Sequence, residues 1–180
     1  PESLVEIAGN FKDSGTAVLD WSDVRDLASQ VPAFSEATAY MGRGGLWRNG
    51  EESTLLLVDA VADNYFDVLG VKPMLGRLPA PGDLTDAGGD PPLVLAHWLW
   101  RERFGARTDI IGERMQFRDR VWRIAAVLPP QFRGVSPLGQ RHIWIPVSAW
   151  QRYWPGDMER GGGQFEAVAR LRPGATLEQA

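Results

Sequence analysis

Phe165, Ala167, Ala169 and Leu171 alternate with Glu166, Val168, Arg170 and Arg172 ahead of a Pro173-Gly174 turn. That period of two is the signature of a strand with one buried face. Met115 and Phe117 alternate with Arg114, Gln116 and Arg118, and Trp122, Ile124, Ala126 and Leu128 continue the pattern beyond Asp119-Arg120. Residues 114–128 therefore predict a hairpin turning at 119–120. A period near 3.6 appears once at length: Trp21, Val24, Leu27, Ala28 and Val31 predict a helix over residues 20–30, capped by Asp20 and stopped before Pro32.

Shorter elements fill the rest. Residues 4–8 read as a first strand, 34–41 as a second, and 46–48 with 54–62 as hairpin arms around Asn49-Gly50. In NYFDVLGVKPMLGR, residues 64–77, Asp63 is the expected cap of a short helix that buries Tyr65, Phe66 and Leu69. Gly70 supplies its left-handed stop, Lys72 stays extended before Pro73, and Gly76 turns the chain. Residues 78–92, rich in Pro, Gly and Asp, read as a surface loop. Next come a buried strand over 93–96, a helix over 97–104 with Gly105 behind it, and a strand over 142–147 whose Pro146 marks an edge or an end. Residues 150–154 read as a helical turn. Strands outnumber helices and are interspersed with them, so the expected fold class is α+β.

At 180 residues, 44% of them hydrophobic, the chain supports one domain or two small lobes with an ordinary core. The absence of Cys excludes a disulfide framework and a thiolate metal site. A net charge of −4 with scattered cations argues against nucleic acid. No apolar run approaches the ~18 residues of a membrane span. The chain runs from Pro1 straight into a strand, and ATLEQA at the other end carries capping-box spacing between Thr176 and Gln179, so it reads as a piece of a longer protein.

Catalytic chemistry finds no anchor. His97 and His142 have no HExxH spacing, no Ser sits in a GxSxG elbow, and the Gly-rich stretches 42–45 and 161–163 lack the Lys-Ser or Lys-Thr of a phosphate loop. Both glycine stretches read as loops. The expectation is no enzyme, no cofactor and no metal. Eight Trp residues offer a sugar or peptide platform, against the plainer reading of core. Trp47, beside a glycine stretch, and Trp154, beside Pro155-Gly156, are the best exposed candidates for contact with a ligand or partner.

NYFDVLGVKPMLGR, then LVLAHWLWRERFG, IIGERMQFRDRVWRIAAVLPPQFRG, HIWIPV and ARLRPGATLEQA follow in an order that resembles the MacB-like periplasmic core domain of bacterial ABC-transporter permeases, in particular the large acidobacterial-type subgroup. The likeness covers nearly the whole chain. It departs at Asp119-Arg120, where the family commonly has Asn-Gly, and at His142, where an acidic residue is common. The resemblance implies two lobes, a βαβ-rich one from residues 1–62 and 160–180 and an inserted β-rich one from 63–159, with the 64–77 stretch as the stiff joint between them. It implies a place on the outer side of the cytoplasmic membrane, within a membrane-embedded parent that is dimeric or internally duplicated. A cytoplasmic ATP-binding subunit or domain is the implied partner, with a periplasmic partner protein or exported substrate engaged by surface contact. The alternative is a stand-alone carbohydrate- or peptide-binding module that uses exposed Trp.

Overall fold

The computed structural model describes residues 4–7, 9–11, 15–17, 19, 29–80, 83, 89–136, 139–158 and 165–179. Its strands are β1 (Leu4–Ile7), β2 (Gly9–Phe11), β3 (Gly15–Ala17), β4 (Phe34–Asn49), β5 (Glu52–Val61), β6 (Leu75–Gly76), β7 (Pro92–Leu95), β8 (Arg114–Phe117), β9 (Arg120–Val127), β10 (Ile143–Pro146) and β11 (Glu166–Leu171). Among the described residues they are joined by the helices α1 (Tyr65–Leu69), α2 (His97–Phe104) and α3 (Val147–Tyr153). The fold is the expected mixture of strand and helix. Of the helix expected over 20–30, all but Ser29 and Gln30, which are helical, lies outside the described residues, as does the 161–163 glycine run.

Nine strands form one sheet in the order β1-β11-β4-β5-β10-β7-β9-β6, and β8 pairs with both β4 and β9. That double pairing closes β4, β5, β10, β7, β9 and β8 into a ring, a small barrel filled by side chains. β4 is long enough to serve two neighbours: its first half pairs with β11, and Trp47 and Arg48 near its end pair with β8. Phe117, Trp122, Trp144 and Trp150 are wholly buried, and one apolar cluster runs from the ring to Tyr40 and Val168. A second, smaller cluster gathers Phe34, Ala169 and Leu171 under β1 and β11.

The glycine stretch at 42–45 is not a loop. It lies inside the 16-residue β4, where a strand must bend to enter a closed ring. A Cβ on Gly45 would sit 2.5 Å from Cζ of Phe117, so only glycine lets that ring pack over the strand. The hairpin it belongs to turns through Gly50 and Glu51, with Asn49 paired to Glu52 and Gly50 at φ 63°.

Two other readings shift, and a third is narrowed to one of its two alternatives. The 114–128 hairpin turns at Arg118-Asp119, because Phe117 pairs with Arg120 and Arg118 itself takes a left-handed φ of 56°. β10 is interior, between β5 and β7, and Pro146 stands at its end and not at a sheet edge. Asn64, not Asp63, occupies the N-cap of α1, and its side chain instead donates to the Ala37 carbonyl at 2.8 Å.

The 64–77 stretch is a fixed passage. Tyr65, Phe66 and Val68 are buried, with Leu69 only partly so, and Gly70 closes α1 in the left-handed region. Gly70 N–H donates to Asp67 O and Val71 N–H to Phe66 O, the two bonds of a Schellman stop. The chain then lays Leu75–Gly76 on β9, where a Cβ on Gly76 would meet the Ala125 carbonyl oxygen at 2.2 Å. At the far end, Gln179 Oε1 accepts from Thr176 N–H at 3.0 Å, the side-chain half of the expected capping box.

Candidate functional site

Asp59 interrupts the apolar run of β5, and its carboxylate is fully buried. An isolated buried charge is costly, so it requires a partner. Because β10 runs parallel to β5 with Trp144 opposite Asp59, Arg141, just ahead of β10, is brought to the same place. Its Nε donates to Asp59 Oδ1 at 2.5 Å, and a terminal nitrogen donates to Ser136 Oγ at 2.6 Å. Gly42, paired with Asp59 in β4, leaves the room: a Cβ there would stand 2.8 Å from the guanidinium. Burial pushes the Asp59 carboxyl up to about 6, with the Arg141 charge and hydrogen bond pulling the other way. Asp59 Oδ2 has no hydrogen-bond partner among the described residues.

Two further polar groups hold strands together nearby. His142 Nδ1 accepts the Leu57 N–H at 3.0 Å, and the His142 N–H donates to the Leu57 carbonyl at 2.9 Å. Burial lowers the His142 imidazole from its ordinary range; the Leu57 backbone bond acts the other way, and the Arg141 charge adds to the lowering. On the same face, Tyr40 donates to Glu166 Oε2 at 2.7 Å, which joins β4 to β11. Burial and that carboxylate raise the Tyr40 phenol.

The tryptophans divide unevenly. Trp47 is 4% exposed and stacks on Phe104 at 5.5 Å, which overturns the expectation that it is open to solvent. Trp47 pairs with Phe117 of β8 and belongs to the main apolar cluster. Trp154 is half-buried: it stacks on Trp122 at 5.8 Å, and its Nε1 donates to Asp119 Oδ1 at 3.0 Å. The Arg118 guanidinium lies 4.3 Å from the Trp154 ring and Arg120 lies 4.0 Å from that of Tyr153. Of the remaining described tryptophans only Trp98 is half-buried, so these residues present no open row of rings.

Two cavities are lined by described residues. A cavity of about 10 Å³ lies against Phe66, Val94, Trp144 and Pro146, space for one water-sized centre. A larger depression borders Ser35, Arg170 and Arg172, but Arg170 donates to the Val68 carbonyl and Arg172 to that of Pro32. Among the described residues no three His, Asp or Glu side chains gather as a metal site, and no helix is long and apolar enough to cross a membrane. The sequence signal for the buried pair was Asp59 itself, a lone acid within TLLLVDAVA; nothing local pointed to Arg141 as its partner.

The chain is similar to several solved structures. With the periplasmic region of MacB from Actinobacillus actinomycetemcomitans it shares 19% identity at a TM-score of 0.70, covering 98% of this chain and 77% of that one. The extracellular domain of the noncanonic ABC-type transporter YknZ from Gram-positive bacteria gives 15% and 0.69, over 98% and 86% of the two chains. A domain of a permease protein from Porphyromonas gingivalis gives 19% and 0.63, over 86% and 69%. At these identities the likeness is one of fold. No curated protein matches by sequence. The model of the MacB-like periplasmic core domain matches residues 2–180. The chain therefore belongs to that family, the extracytoplasmic domains of bacterial ABC-transporter permeases, whose parents work with a cytoplasmic ATPase.

Proposed function

We propose that this domain engages an exported substrate or partner protein by surface contact, and relays to it the motion that ATP hydrolysis drives in the membrane segments of the parent. No bond is made or broken by the domain itself. The observation that carries this reading is the unbroken path through the sheet. β1 pairs with β11 at one edge, β11 pairs with β4, and β4 runs 16 residues from that edge into the closed ring. A displacement at the β1–β11 edge therefore reaches the ring through one continuous strand. The proposed lobes, 1–62 with 160–180 and 63–159, then share this sheet, with the Schellman stop and Leu75–Gly76 pairing as the fixed passage between them.

For the contact itself, the Trp154, Arg118 and Arg120 surface is favoured over Trp47, whose ring has no open face. Half-exposed aromatic rings with arginine neighbours are the composition found at energetically dominant contacts. The test uses the parent permease with its ATPase, reconstituted in membranes and spin-labelled at exposed Leu55 and on an adjoining membrane segment. The expected result is a shifted distance distribution on trapping the ATPase in its nucleotide-bound state. An unchanged distribution would overturn relay of motion.

A further inference from the structure

We propose that His142 is a proton-operated fastener: a proton taken up at Nδ1 releases the Leu57 amide and loosens the start of β10 from β5. The inference goes beyond the relay reading and stands without it. Leu57 turns both its N–H and its carbonyl toward His142, at 3.0 Å to Nδ1 and 2.9 Å to the backbone nitrogen. The imidazole thus extends the β5–β10 pairing, which runs from Ile143 opposite Val58 to Pro146 opposite Val61, by one further step. That step exists only while Nδ1 is an acceptor. Protonation makes both ring nitrogens donors and sets one of them head-on against an N–H.

The surroundings favour release over accommodation. From the segment ahead of β10, Arg141 brings a positive charge beside the ring. From β5, the Leu57 backbone raises the imidazole, against the larger lowering by burial, and Asp59 is engaged by Arg141. From α2, Trp98 lies edge-on at 4.5 Å and is uncharged. Trp98 Nε1 also donates to the Arg141 carbonyl at 2.9 Å, so movement of 141–142 is passed to the first turn of α2. The domain faces the outside of the cytoplasmic membrane, where acidity follows the medium.

Asp59 works in the opposite sense and must be separated in any test. Its carboxyl is raised in the folded protein, so acid favours the closed form there, while the lowered His142 makes acid favour the open form. Amide exchange at Leu57, corrected for the intrinsic rate, reads the fastener directly in the 180-residue chain. In Asp59→Asn, where the opposing carboxyl is gone, Leu57 protection is expected to fall with pH below the unfolded histidine value of ~6.5, by at most about tenfold per unit, until the folded value is reached. Adding His142→Asn to that variant, with an amide oxygen that accepts but does not titrate, should abolish the slope. Imidazole nitrogen shifts of the unaltered chain give a second measurement, and should show an unprotonated Nδ1 with a midpoint below ~6.5. A flat Leu57 protection in Asp59→Asn, a slope that survives the added His142→Asn, or an Nδ1 that carries the proton at neutral pH would each overturn the proposal.

Discussion

The ring closes onto β4 and β5 along two seams of opposite chemistry. At β5–β10 the contact is polar and titratable: the buried Asp59–Arg141 pair, with His142 bonded to the Leu57 backbone. At β4–β8 it is aromatic: Trp47 paired with Phe117, with Phe104 stacked on Trp47 and the Phe117 ring over Gly45. Apolar packing tolerates small changes of angle, whereas a buried ion pair fails sharply when either partner is lost. The first seam therefore fixes which strands meet and answers to pH, and the second supplies cohesion that pH does not alter.

The largest expected effect separates the seams. Asp59→Ala leaves the Arg141 charge buried and unpaired, at a cost of ~3–5 kcal/mol by denaturant unfolding. The joint replacement Asp59→Leu with Arg141→Met is expected to recover most of that loss. Failure of the double variant to recover would make the pair a requirement of geometry and not of charge balance. On the aromatic side, Gly45→Ala drives a Cβ into the Phe117 ring and should cost ~1–3 kcal/mol, the same at pH 5 and pH 8.

Next in size are the pH slopes. Asp59 is raised to about 6 from 3.8, so its contribution favours the folded state as pH falls through 6. His142 is lowered from 6.5, so its contribution is complete above that value and is lost as pH falls below it. Asp59→Asn should therefore become less stable on acidification below ~6.5, and His142→Asn more stable toward pH 4, each by no more than ~1.4 kcal/mol per pH unit. Slopes of the same sign in the two variants would break the comparison. The smallest effect belongs to Trp154→Phe, which loses the bond to Asp119 while keeping a ring beneath Arg118. About 0.5–1.5 kcal/mol is expected, read by thermal unfolding.

Local chemistry was legible in the sequence wherever one residue decided it. Gly70 and Gly105 ended their helices because both must be left-handed, and the alternation of 120–127 and 166–171 matched the strands it predicted. What a residue meets across the fold was not legible. Gly42 and Gly45 looked like loop residues because their reason for being glycine is a guanidinium and a phenyl ring brought in from about a hundred and about seventy positions away. Trp47 seemed exposed for the same cause, since a glycine neighbourhood signals a bend without saying which way it turns. Arg141 gave no sign of its partner, because the pairing with Asp59 spans 82 positions and depends on β10 lying parallel to β5.

The pairing of Leu4 with Arg170 at the sheet edge has a mechanical consequence. The front end of β1 and the tail of β11 lie at the same end of an antiparallel ladder, whose hydrogen bonds are perpendicular to the strands. Pulled apart from that end, the ladder opens like a zipper, one pair at a time and at low force; moved together, it carries no load at all. Single-molecule pulling from the two ends should therefore record a small first rupture along β1 before the ring yields.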